Sequence, residues 1–119
     1  MLERFIDFHS GNILLCSIAF FISDFGMCQP ANAMLGKGVY GVLPYMAPEI
    51  IRGYLYTKAA DIYSFGTIMN EFLSEEIPFN DIPHDHILAV KICKGLRPKI
   101  SEDIPKISCR FNYKMLGCY

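Results

Sequence analysis

Two short apolar runs near the start of the chain, Ile13-Leu14-Leu15-Cys16 and Ala19-Phe20-Phe21-Ile22-Ser23, are split by Ser17 and predict a hairpin or two neighbouring short strands. Asp24-Phe25-Gly26 closes the second run. From Met27 to Met46 no hydrophobic period is sustained, and Gly36, Gly38, Gly41, Pro30 and Pro44 punctuate the stretch. It reads as one long loop, a kind of segment that often carries function. Ala47-Pro48-Glu49-Ile50-Ile51-Arg52-Gly53 has a proline in its first turn, an acid next and a basic residue before a terminating glycine, which predicts a short helix. Thr57 then suits the N-cap of a longer helix over Lys58 to Leu73, where Ile62, Phe65, Ile68, Met69, Phe72 and Leu73 recur at helical spacing. With Tyr63 and Gly66 added, few faces stay polar, so the pattern predicts a helix buried nearly all round, with Tyr63 and Phe65 in the core. Pro83 and the Lys94-Gly95 stop bound a third helix over about Asp85 to Lys94. Beyond Pro98 only a weak amphipathic signal remains.

Composition narrows the class. The chain has 119 residues, 52% of them hydrophobic and 19% charged, with a formal charge of -1 and a mean hydropathy of +0.26. That suits one compact domain and excludes both a disordered chain and a typical nucleic-acid binder. The hydropathy is high for a self-contained domain of this size, which points to apolar surface that expects a partner or further sequence. The longest apolar stretch, Ile13 to Ile22, is about half of what a membrane span needs, and Glu3 and Asp7 beside it do not suit a secretory signal. Cys16, Cys28, Cys93, Cys109 and Cys118 form an odd set without a C-x-x-C pair, which indicates neither a disulfide framework nor a zinc site and fits a reducing, cytoplasmic setting. His84-x-His86 lacks a third ligand in its neighbourhood and reads as solvated. Residues 91–119 carry seven basic and two acidic side chains, read as a solvated positive face and not as a nucleic-acid patch.

Four motifs follow one another in a fixed order. Asp7-Phe8-His9-Ser10-Gly11-Asn12 sets an Asn five residues after an Asp, Asp24-Phe25-Gly26 ends the apolar strand, Ala47-Pro48-Glu49 opens the short helix, and Asp61-Ile62-Tyr63-Ser64-Phe65-Gly66 starts the long one. Together they resemble the large-lobe half of a protein kinase, most similar to the tyrosine-kinase-like group and to serine/threonine kinases within it. The resemblance implies an α+β fold, a mainly helical large-lobe portion of a protein-kinase-like domain with a short β-hairpin near the N-terminus. Residues 1–105 would form a partial kinase domain, from the catalytic loop through the helix after the central one, and residues 106–119 a divergent or truncated tail.

The same resemblance assigns roles. Asp7 matches the carboxylate that orients and accepts the proton of the attacking hydroxyl, and Asn12 and Asp24 match the two protein ligands of Mg²⁺ on bound ATP. Gly26 gives the loop after Asp24 its backbone freedom. Glu49 matches a carboxylate that pairs with a distant arginine, Asp61 one that bonds catalytic-loop amides from below, and both are structural. Gly41 to Met46 would lie where a protein substrate binds, and ATP and Mg²⁺ would be the cofactors.

Departures accompany the match. Phe5-Ile6-Asp7 stands where the family has His-Arg-Asp, and an isoleucine cannot receive an activating phosphate. Met27 to Met46 holds no Ser or Thr, which leaves Tyr40 and Tyr45 as phosphoacceptors there. No Gly-x-Gly-x-x-Gly loop or Val-Ala-x-Lys strand precedes Asp7, and the arginine expected to pair with Glu49 is missing, Arg110 lying too early. Two functions therefore stay open: ATP-dependent phosphoryl transfer to Ser/Thr (or Tyr) hydroxyls of a protein substrate, or a catalytically inactive, pseudokinase-like or truncated fragment acting as a binding or regulatory module with a small lobe or partner chain. The truncation also implies that Ile62, Phe65, Met69 and Phe72 are incompletely covered, against the near-complete burial that the period alone predicts.

Overall fold

The computed structural model describes residues 3–4, 8–16, 19–23, 29–30, 41–100 and 115–116. The two apolar runs form β2 (Ile13–Cys16) and β3 (Ala19–Ile22), an antiparallel hairpin in the register Ile13↔Ile22 and Leu14↔Phe21. A two-residue β1 (Glu3–Arg4) pairs antiparallel with β4 (Gln29–Pro30), so the chain returns to its own beginning after the hairpin. The predicted hairpin is thus present, but its faces are unequal. Ile13 packs inward against Phe8, Tyr45 and Ile68, whereas the cross-strand neighbours Leu14 and Phe21 are both more than half exposed.

Helices supply the rest. Pro48 begins α1 (Pro48–Ile51), which ends at Gly53 in the positive-φ conformation (φ +85°) that glycine adopts without strain. Thr57 caps α2 (Lys58–Ser74), its side-chain oxygen accepting from the Ala60 amide at 3.3 Å. Asp85 caps α3 (His86–Cys93) more fully, with Oδ1 accepting from Ile87 N at 2.9 Å and Leu88 N at 3.4 Å, and Gly95 (φ +109°) follows it. Each helix stands where the sequence places it. His84 Nε2 lies 3.2 Å from the Phe79 carbonyl oxygen. Among the described residues no helix is long and apolar enough to cross a membrane.

Three small cores hold these elements. Met46, Ala47, Ile50, Tyr56, Ala60, Tyr63 and Leu116 form the first, between α1, the start of α2 and the far end of the chain. Phe8, Tyr45 and Ile68 form the second, and Phe79, Leu88 and Ile92 the third, where α3 meets α1. Arg97 ties the pieces together: its Nε donates to the Leu116 carbonyl at 2.8 Å, its Nη1 to those of Ile92 and Leu96, and its guanidinium lies 5.5 Å from the centre of the Tyr63 ring.

Burial of α2 corrects the prediction from its period. Tyr63 is 5% exposed, as expected of a core residue, but Phe65 is 40%, Ile62 51% and Phe72 52% exposed. With Ile13, Ile68, Met69 and Leu73, Phe65 and Phe72 line an open apolar cleft of about 550 Å³. The period reports that these residues could be buried; among the described residues their neighbours cover them only in part.

Candidate active site

The chain between residues 8 and 12 is fixed at three points. The Phe8 ring is buried beside Tyr45 and Ile68 and stacks on Phe65, the planes inclined by 7° and the centroids 6.2 Å apart. A 3-10 turn over Ser10–Asn12 closes with Asn12 N donating to His9 O at 3.0 Å. The Asn12 carbonyl then accepts from both Ser23 N (2.7 Å) and Ser23 Oγ (3.1 Å). This double bond set joins the two ends of the β2–β3 hairpin, so Asn12 enters β2 beside the residue that leads into Asp24.

Asp7, Asp24 and Gly26 lie outside the described residues, as do the Phe5-Ile6 pair and Tyr40. Their neighbours are placed. Phe8 follows Asp7 in the chain and is anchored on α2, Ser23 precedes Asp24 and is anchored on Asn12, and Asn12 is itself buried. An amide oxygen and a carboxylate oxygen are hard donors of the kind Mg²⁺ takes, so Asn12 and Asp24 match the ion by residue type, and of the two Asn12 is among the described residues.

Asp61 sits in the first turn of α2, half-buried, and lines a narrow cleft with Phe8, Gly41, Tyr45 and Ser64. It is on the side of the helix that faces Phe8. Glu49, in the first turn of α1, lies elsewhere, in a wide cleft with Arg52, Ile62, Tyr63 and Met115. Among the described residues Glu49 makes no ion pair, since the Arg52 guanidinium donates to the Cys93 carbonyl and Arg97 is committed to the carbonyls named above.

One cluster escapes the motif reading. Tyr45 ends a 3-10 turn over Leu43–Tyr45, and its hydroxyl donates to Glu71 Oε2 at 2.6 Å. Ser10 Oγ donates to the other oxygen, Oε1, at 3.1 Å, and the two hydroxyls are 2.9 Å apart. The Tyr45 backbone is held as well, its carbonyl accepting from Ser64 Oγ at 2.7 Å. Burial, and then hydrogen bonding to Glu71, push the Tyr45 phenol up to about 12 from its ordinary 10.0, with Ser10 pulling the other way. Tyr45 is 7% exposed, which removes it from the pair of candidate phosphoacceptors. The signal in the sequence was faint: Glu71 is the one acid between Asp61 and Glu75, three residues after Ile68 and seven after Ser64, on one helical stripe.

Comparison with known proteins adds the family. The family model described as protein kinase domain matches residues 4–115. A probable serine/threonine-protein kinase gdt4 of Dictyostelium discoideum is 39% identical over 92 residues, 74% of this chain and 5% of that protein. The mitogen-activated protein kinase kinase kinase 7 of Drosophila melanogaster is 34% identical over 98 residues, 82% of this chain and 14% of that protein. Among solved structures, the PK-1 kinase of Cydia pomonella granulovirus superposes with a TM-score of 0.78 at 23% identity, over 98% of this chain and 44% of its own. The chain thus spans a small part of these curated relatives and under half of the structural neighbour.

Proposed function

This chain belongs to the protein kinase family, its match to the kinase domain running over residues 4–115, and from that premise we propose that it carries the catalytic-loop side of a serine/threonine kinase site. The reaction is transfer of the ATP γ-phosphoryl group to a protein hydroxyl. Asp7 accepts the hydroxyl proton, Asn12 and Asp24 hold Mg²⁺, and Gly26 lets the segment after Asp24 turn. When bound, Mg²⁺ neutralises charge across the phosphates. Asp61 braces the loop that carries Asp7, and Glu49 steadies α1 without touching substrate.

One observation carries this reading. The paired bonds from Ser23 to the Asn12 carbonyl tether the two ends of the hairpin, so the amide ligand and the strand leading to the carboxylate ligand share one anchored junction. The burial of Phe8 against Ile68 holds the loop after Asp7 in the same way. Positioning of this kind is most of what a protein contributes to phosphoryl transfer.

The test is Mg-ATP binding and phosphate incorporation into a generic protein substrate by the purified 119-residue chain, with Asp7→Asn as control. Incorporation into Ser or Thr that Asp7→Asn lowers about 100-fold or more supports the proposal. Incorporation that Asp7→Asn leaves intact overturns it. A second reading, a binding or regulatory module without turnover, is favoured by Ile6 in place of the phosphate-receiving arginine, and Mg-ATP that fails to bind at all selects it.

A further inference from the structure

α2 keeps one face in the core and turns another outward. Ala60, Tyr63, Ser64, Thr67, Ile68 and Asn70 are buried, whereas Lys58, Ile62, Phe65, Phe72 and Leu73 are exposed and Met69 is half-buried. At about 100° of turn per residue, these last six fall within an arc of roughly 100°. Lys58 is the one charged side chain in that arc. The outward face runs along the cleft of about 550 Å³ already described, and every side chain lining that cleft is apolar.

The spacing of this face says what kind of element fits it. Ile62, Phe65, Met69 and Phe72 are separated by three, four and three positions, the alternation by which two helices interdigitate. Lys58 stands four positions before Ile62 and Glu76 four after Phe72, so the whole series reads the same from either end. A helix with a palindromic seam is complementary to itself when two copies run antiparallel about a two-fold axis. Ile62 then meets Phe72 of the second copy, Phe65 meets Met69, and Lys58 meets Glu76.

Charge fixes the direction. Lys58 is exposed at the start of α2, and Glu75 and Glu76 are exposed just past its end. An antiparallel pair sets each lysine against the two acids of the other copy, while a parallel pair would set like against like. The other acids of the helix lie off the seam, Asp61 in the cleft with Phe8 and Tyr45 and Glu71 under the Ser10 and Tyr45 hydroxyls. An aromatic side chain buries about 150–250 Å² in full, so the half-exposed seam and its charged ends offer roughly 500 Å² per copy. Both copies together bury about 1,000 Å², the lower limit of a specific interface, which sets the expected affinity in the micromolar range.

We propose that the exposed seam of α2 is a self-association surface, on which a second copy of this chain lays its own α2 antiparallel about a two-fold axis. The dimer covers Ile62, Phe65 and Phe72, the residues that the apolar period marks for burial and the single chain leaves open. It is independent of phosphoryl transfer.

Sedimentation velocity of the purified 119-residue chain, from low to high micromolar concentration, tests the dimer. The expected result is a reversible shift from 13.5 kDa to twice that mass and no further, with the emission of a bound hydrophobic dye per chain falling in step. Phe72→Glu sets a carboxylate against Ile62 twice in each dimer and raises the dissociation constant at least ten-fold. Val90→Glu alters an equally exposed apolar residue on α3 and leaves it unchanged. Lys58→Glu weakens the dimer at low ionic strength, and adding Glu75→Lys and Glu76→Lys to the same chain restores it. This charge exchange uses exposed residues only, so it reads the antiparallel pairing even where Phe72→Glu does not fold. A chain that stays monomeric over the range overturns the proposal and leaves the cleft to further sequence or to a different protein. Particles that grow past two copies, equal weakening by Val90→Glu, or a charge exchange that restores nothing overturn it as well.

Discussion

Gly66 sits in the middle of α2, where alanine is ordinarily preferred over glycine by about 1 kcal/mol. A Cβ there would stand 2.9 Å from Met115 Cβ and 3.4 and 3.5 Å from the Leu116 side chain. The first contact is shorter than real Cβ atoms tolerate, and Met115 Cβ is fixed to the backbone, so a rotamer change cannot relieve it. Residues 115–116 must shift instead. Leu116 is fully buried in the core with Ile50, Tyr56 and Tyr63, and losing such a leucine altogether costs about 2–5 kcal/mol. A partial displacement that forfeits about half of this outweighs the propensity gain, and Gly66→Ala is expected to destabilise by roughly 1 kcal/mol. Urea denaturation followed by circular dichroism measures it. The partner variant is Met115→Gly, which removes the offending atom; in that background Gly66→Ala becomes neutral or stabilising, a change of sign that a double-mutant cycle reports. Stabilisation by Gly66→Ala in both backgrounds alike would refute the seating of the chain's end on α2.

Three further outcomes follow from the same geometry. The Tyr45 phenol is raised from 10.0 to about 12 in the folded chain, so folding favours its protonated form; that contribution is complete below pH 10 and is lost as pH rises through 12, by roughly 3 kcal/mol. Urea midpoints of the wild type should therefore fall more steeply between pH 10 and 12 than those of Tyr45→Phe, and parallel curves would sink the assignment. Asp85→Ala removes the acceptor of the Ile87 and Leu88 amides at the start of α3 and should cost about 1 kcal/mol in a thermal melt, with Asp85→Asn recovering most of it; equal losses in both would mean that the cap is not the cause. The half-exposed Phe65 and Phe72 beside the apolar cleft of α2 should make the native chain bind an environment-sensitive hydrophobic dye, and a cooperative, monomeric melt without dye binding would contradict this.

Local chemistry accounts for what the sequence determined by itself. Thr57 and Asp85 cap α2 and α3 because a side-chain oxygen can reach an amide two or three residues on, a relation contained within one turn. Gly53 and Gly95 follow α1 and α3 because the positive φ there is open to glycine. Ser17 splits two apolar runs, and the hairpin forms with the register that their spacing allows. The order of the four motifs carried the family for the same reason, since each motif is a short stretch whose chemistry is read within itself.

Tertiary structure decided what lies between distant segments. Periodicity shows that Phe65 and Phe72 share an apolar helix, but burial depends on what covers each face, and these two stay 40% and 52% exposed while Tyr63 and Ile68 on the same helix are buried. The need for glycine at position 66 is set by Met115, 49 positions away in the chain. Glu71 reads in sequence as an acid on an apolar helix; only folding brings Ser10 and Tyr45 to its two oxygens. Hydrogen bonds and packing act over a few ångströms of space, and a linear pattern records proximity only along the chain.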